Sequence, residues 1–284
     1  MRREYLALIV FGCVLALAGV GWQVLFSAPE PAGVTIAAVS GNVQQVTPTG
    51  STPATVGASV AARDRLVAGP DGNAVLAFGD EARLTLDASS SIKVVSVDDA
   101  GVRVELDGGR VSATVRPGGR QLAIGADGRE VTAEDADFTV ARGEDGTLAV
   151  AADRGSVKTN LPGVSTIGAG QKVVAPRDRQ ALVSPTNDAL LLSVVWPEQS
   201  RTRAAEVSIN GTTEPGARVI FDGAGGPVTV LGDADGRFSA TVALREGENT
   251  LRAHATNALG QVAELRWDVV RDTRPPSISV ELRP

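Results

Sequence analysis

From Val34 to Ala175 apolar and polar residues alternate with a period of two. Val102-Arg103-Val104-Glu105-Leu106 and Val111-Ser112-Ala113-Thr114-Val115 are the cleanest runs. Ala136-Asp137-Phe138-Thr139-Val140 and Leu148-Ala149-Val150-Ala151 continue the pattern. In an extended strand this period buries one face and wets the other. Between the runs stand Asp71-Gly72, Asp107-Gly108-Gly109, Asp127-Gly128 and Asp145-Gly146, dipeptides that supply the positive φ of tight hairpins. No stretch here holds a 3.6-residue apolar period long enough for a helix. Gly41-Asn42-Val43, Gly109-Arg110-Val111 and Gly155-Ser156-Val157 echo one another. Each reads as a corner glycine followed by an inward valine, so a stacked, solenoid-like β-roll is expected.

A polar, proline-marked stretch, 176–188, follows and reads as a linker across which few apolar contacts run. The two flanking regions are therefore expected to unfold independently. From Ala189 the strands are shorter. Val207-Ser208-Ile209-Asn210-Gly211 leads into a turn and a second strand. Phe238-Ser239-Ala240-Thr241-Val242 and Ala263-Glu264-Leu265-Arg266-Trp267 alternate. About seven such strands in ~85 residues fit an immunoglobulin-like sandwich. The expected organisation is a membrane segment at 1–28, a β domain at 29–175, a linker at 176–188, a sandwich at 189–271 and a tail at 272–284.

Leu6 to Phe26 is an uncharged run of 21 residues, preceded by Arg2 and Arg3. A run of ~20 apolar residues spans a bilayer as a helix. The next basic residue is Arg63, so the amino terminus is expected inside and the remainder outside. Trp22 falls where aromatics favour the interface. Cys13 reads as a buried residue of that helix. Ala16-Leu17-Ala18 offers the alternative of a cleaved signal and a secreted or periplasmic product.

Net charge is -6 with 27 basic and 33 acidic residues, scattered and without a basic block. This speaks against a nucleic-acid partner. Beyond residue 28 there is no Cys, Tyr or Met, and one His, His254. Disulfides, Cys-His nucleophile pairs and the usual His/Cys zinc sites are excluded there. His254 takes the outward parity, with Leu251, Ala253 and Ala255 inward. Asp233-Ala234-Asp235-Gly236 reads as a hairpin turn, since a calcium loop would need a Glu where Leu244 stands. Asp80-Glu81 reads as an isolated, solvated pair. Phe138, Phe238 and Trp267 share parity with core residues, while the pattern leaves the side of Trp196 open. No catalytic, cofactor or metal residue is assigned.

The glycines between Val39 and Ile92, the Leu84-Thr85-Leu86 and Phe138 strands, Gly155-Ser156-Val157 and Gly168-Ala169-Gly170-Gln171 resemble the FecR domain in order and spacing. The likeness covers roughly Val34 to Ala175. One departure is Gly79-Asp80-Glu81-Ala82, where the family usually has Asp-Gly. The second half resembles bacterial Ig-like domains through Asn210-Gly211-Thr212-Thr213-Glu214-Pro215-Gly216-Ala217 and Asp233-Ala234-Asp235-Gly236-Arg237-Phe238. The first resemblance implies a non-catalytic periplasmic signalling or interaction module, held in the inner membrane through residues 6–26, with an envelope protein as partner. The better-known relatives carry a cytoplasmic anti-sigma domain. Met1 to Tyr5 is too short to fold or bind with specificity, so direct sigma-factor control by this chain alone is not expected. The rival reading is a cell-wall or surface glycan-binding protein, which would need exposed rings around Trp196.

Overall fold

The computed structural model describes residues 33–274. The expected membrane helix at Leu6–Phe26, Cys13 and the closing Ser277–Leu282 segment lie outside the described residues. Among the described residues every regular element is a β-strand, and no helix is long and apolar enough to cross a membrane.

The first unit is a sheet folded into two facing layers around one aliphatic core. Two long strands run through both layers. In the Gly101–Val115 strand, residues up to Gly108 pair with Ser91–Val97 and, in parallel, with Gln121–Ala126. Residues from Gly109 pair instead with Ala82–Leu86 and Ala136–Arg142 in the opposite layer. The Leu148–Leu161 strand does the same. Its first part pairs with Ala136–Arg142 and Gln171–Ala175, and its last part with Val164–Gly168 and Arg129–Ala133.

The Gly-X-Val echo marks these crossings. Gly109 and Gly155 sit where the strands change layer, and Gly41 sits between Val34–Ser40 in one layer and Val43–Thr47 in the other. Burial parity flips at each. Val102, Val104 and Leu106 are buried before Gly109, and Val111, Ala113 and Val115 after it. The flip is required, because a strand that changes layer must turn over to keep facing the same core. The glycines also permit contact. A Cβ at Gly41 would stand 2.0 Å from the Asp71 carbonyl oxygen. One at Gly155 would stand 2.1 Å from that of Asp135, and one at Gly109 would stand 2.6 Å from Ser90 Cα.

Three expectations change here. Asp107-Gly108-Gly109 is a corner inside a continuous strand rather than a hairpin turn. The layers also pair antiparallel apart from the Gly101–Val115 and Gln121–Ala126 strands, unlike the parallel rungs of a regular solenoid. Asp127-Gly128 is the hairpin turn expected, with φ of 51° and 77°, the pair of positive values that a type I′ turn needs. The 176–188 stretch is not wholly a linker. Leu182–Pro185 forms an edge strand on Gln171–Ala175. Its backbone finds ladder partners while Leu182 and Val183 stay 56% and 51% exposed.

The second unit packs a three-stranded sheet against a five-stranded one. Leu192–Val195 pairs with Glu206–Thr213 in the first sheet. The next short strand, Arg201–Thr202, crosses over and pairs in parallel with the end of Val262–Arg271 in the second. Phe221, Phe238, Ile209, Val219, Val242 and Leu251 fill the space between. Gly211 makes room for Phe238, whose Cζ lies 2.3 Å from where a Cβ would be.

Candidate interaction surface

The residues weighed for chemistry are dispersed. His254 faces outward across from Ile220 and Glu264, and its ring contacts only the Thr256 hydroxyl at 3.3 Å in a hydrogen bond. Asp233 caps its turn by accepting from the amides of Asp235 and Arg237 at 2.9 and 2.8 Å. Glu81 is not a solvated bystander. It accepts from Arg120 Nε at 2.9 Å and from the Arg120 amide at 3.2 Å, and these bonds hold its carboxyl below the usual range. Among the described residues no group of three or more His, Cys, Asp or Glu is placed to hold a metal ion.

The rings are engaged with one another. Trp196 stacks on Trp267 at 5.7 Å and 17°, and meets Phe221 edge-on at 6.3 Å. Phe138 and Phe238 are buried. Trp267 is only half-buried, and Leu265 on the same side of its strand is 37% exposed.

What the structure brings together is a contact between the two units. The outward side of the first unit's sheet, over Ala136–Arg142, Leu148–Leu161 and Gln171–Ala175, is apolar and covered. Ala141, Ala149 and Val174 are buried there against Ala258 and Leu259 of the second unit. Beside them Lys172, 2% exposed, donates from Nζ to Glu214 Oε1 and Gln261 Oε1, both at 2.7 Å. Asn257 Nδ2 donates to the other Glu214 oxygen at 2.8 Å and to Gln261 Oε1 at 2.9 Å. Gln261 Nε2 reaches back to the carbonyls of Thr186 and Asp188. Every polar atom of this cluster therefore has a partner, as burial of an ammonium requires.

Flanking bonds extend the contact. Arg110 Nη1 donates to the Leu259 carbonyl at 2.9 Å while its Nε holds Asp87 at 2.5 Å. Arg218 pairs with Glu144, and Arg179 with Asp235 at 3.2 Å. Gly260 lies where a Cβ would meet Arg110 Nη1 at 2.2 Å. Next to the contact a cleft of about 510 Å³ is lined in part by Arg110, Arg142, Arg218 and His254. Its arginines are neutralised by Asp87, Asp127 and Glu144. The cleft is thus charge-balanced, without a cluster of uncompensated cations.

The sequence did carry a signal for this surface. Leu148-Ala149-Val150-Ala151-Ala152 and Val173-Val174-Ala175 are apolar at both parities, and such runs mark strands covered on both faces. Reading the first as a continued alternation missed it.

A model of the FecR protein family matches residues 64–158. No curated protein matches the chain. Among solved structures, a candidate anti-sigma factor from Parabacteroides distasonis, seen in two crystal structures, is 17% and 16% identical with a TM-score of 0.38 in both. The likeness covers 43% of this chain and 59% of that protein. A Ca2+-stabilised adhesin with which an Antarctic bacterium binds ice is 16% identical with a TM-score of 0.22, over 86% of this chain and 95% of the adhesin. The corners at Gly109 and Gly155 lie inside the matched stretch, and residues 64–158 are a FecR domain.

Proposed function

We propose that this chain is a non-catalytic signalling regulator of the cell envelope that works by contact with a protein partner. In this reading Leu6–Phe26 anchors it in the inner membrane and both β units stand in the periplasm. The FecR domain at residues 64–158 carries the reading. The apolar run behind Arg2 and Arg3 supports the location. The second unit is read as an Ig-like sandwich. Its first two strands join different sheets, Leu192–Val195 antiparallel in one and Arg201–Thr202 parallel in the other, and Phe221 and Phe238 meet in its core.

The location is tested by a reporter fused after Pro284 that is active only in the periplasm. Activity with the protein retained in the membrane is the expected result. A soluble periplasmic product beginning at Gly19 would replace the anchor by a cleaved signal. Activity of a cytoplasm-only reporter at the same position would overturn the envelope assignment. The stacked Trp196–Trp267 pair leaves each ring one face already taken, which argues against the flat, open platform that glycan binding needs.

A further inference from the structure

We infer that Lys172 and Glu214 form a releasable clasp that holds the Ig-like unit over the outward face of the FecR domain's sheet. The clasp defines a closed arrangement of this chain and, when open, uncovers that face. Three observations carry the inference. The covered face is apolar where a wet sheet face would be polar: Ala141, Ala149 and Val174 lie under Ala258 and Leu259. An ammonium, Lys172, is buried among them, and its counter-charge, Glu214, comes from the other unit 42 residues away. The second unit approaches through glycines, Gly216 against Thr147 and Gly260 against Arg110, so the two surfaces are shaped for each other.

The same features make the contact one that opens. Only a few small apolar side chains are buried, and the rest of the surface is polar. Interfaces of that kind between domains resemble transient ones. A buried ion pair selects one arrangement more than it adds net stability, because desolvating both charges offsets much of their attraction. Removing one partner is a different matter, since the other charge is then left buried and uncompensated.

The chain supplies its own readout. It has three lysines, Lys93, Lys158 and Lys172, and the first two are exposed. The full-length chain in detergent is treated with an amine-acylating reagent and each lysine is followed by mass spectrometry. Lys172 should react much more slowly than Lys93 and Lys158. In Glu214→Ala the Lys172 rate should rise by about a hundredfold or more relative to the other two, the lower bound that the cost of an uncompensated buried charge converts to. Leu259→Asp is the second variant. Leu259 packs only at the contact, so the core of its own unit is untouched, and Lys172 should again be released. Unchanged rates at Lys93 and Lys158 show that the first unit stays folded. If Lys172 in the parent reacts as fast as Lys158, the closed arrangement is not formed and the inference fails. It fails also if both variants leave Lys172 as slow as in the parent.

Discussion

The two β units bury their cores by different means. In the FecR domain two long strands pass through both layers, and the core is a broad aliphatic sheet in which, among the described residues, Phe78 and Phe138 are the buried rings. In the second unit each strand belongs to one sheet, and the core gathers on Phe221 and Phe238, with Trp196 and Trp267 at its margin. The first design puts the burden on backbone corners, where glycine is obligatory. The second puts it on a few large side chains. Perturbations of the corners and of the rings should therefore separate the two units.

The largest effects are expected from the rings at the two core centres. Phe138→Ala should destabilise the FecR domain by about 3–5 kcal/mol, and Phe221→Ala should do the same to the second unit. Urea denaturation followed by hydrogen exchange would assign each loss to its unit. Losses that appear equally in both units would dissolve the distinction. Corner substitutions come next. Gly109→Ala and Gly155→Ala combine a positive φ, costing roughly 1–2 kcal/mol, with an overlap against opposing atoms. Gly128→Ala carries the same positive φ with open space around it, so it should cost only the backbone share. Equal midpoints for Gly109→Ala and Gly128→Ala would show that the corners are not tight. Trp267→Ala should cost about 1–3 kcal/mol, less than Phe221→Ala, because its ring is half-buried and stacked on one side.

The smallest effect concerns pH. Glu81, Asp127 and Asp137 of the FecR domain are held below their ordinary values, first by hydrogen bonds from Arg120, Arg142 and Arg154 respectively. A depressed carboxyl stabilises the fold above its unfolded pKa, near 4, and that share is lost as pH falls through the folded value. In the second unit the comparable group is Asp272, at its end, lowered mainly by the Arg274 amide. Acid should therefore weaken the FecR domain more. Asp127→Asn should flatten the decline of its urea midpoint between pH 5 and about pH 2. The side chains are partly exposed, so high salt should shrink the effect. A decline as steep in Asp127→Asn as in the parent would remove Asp127 from the account.

Much of the layered domain was legible because its determinants are local. A period of two gives the strands, Asp127-Gly128 gives a hairpin, and the Gly-X-Val triplets give the corners. His254 faces outward and Phe138 inward, as their parity demands. The contact between units was not legible in the same way. Lys172 meets residues 42 and 89 positions away, and no periodicity encodes such a pairing. The polar character of 176–188 pointed to an unattached linker, whereas Leu182–Pro185 completes the sheet and Thr186 and Asp188 receive Gln261. Backbone groups made those bonds, and backbone groups leave no trace in side-chain pattern. Trp196 was unreadable because it follows its strand and is placed by its stack on Trp267.

The central claim, a FecR domain that acts by meeting a protein in the envelope, is tested most directly by photo-crosslinking in intact cells. A photoreactive residue at Val95, exposed in the FecR domain, is compared with one at Val262, exposed in the second unit. The account predicts a discrete protein adduct from the Val95 position that an excess of untagged chain competes away. Retention on peptidoglycan or envelope polysaccharide, with no competed protein adduct from either position, would contradict it and favour a glycan-binding role.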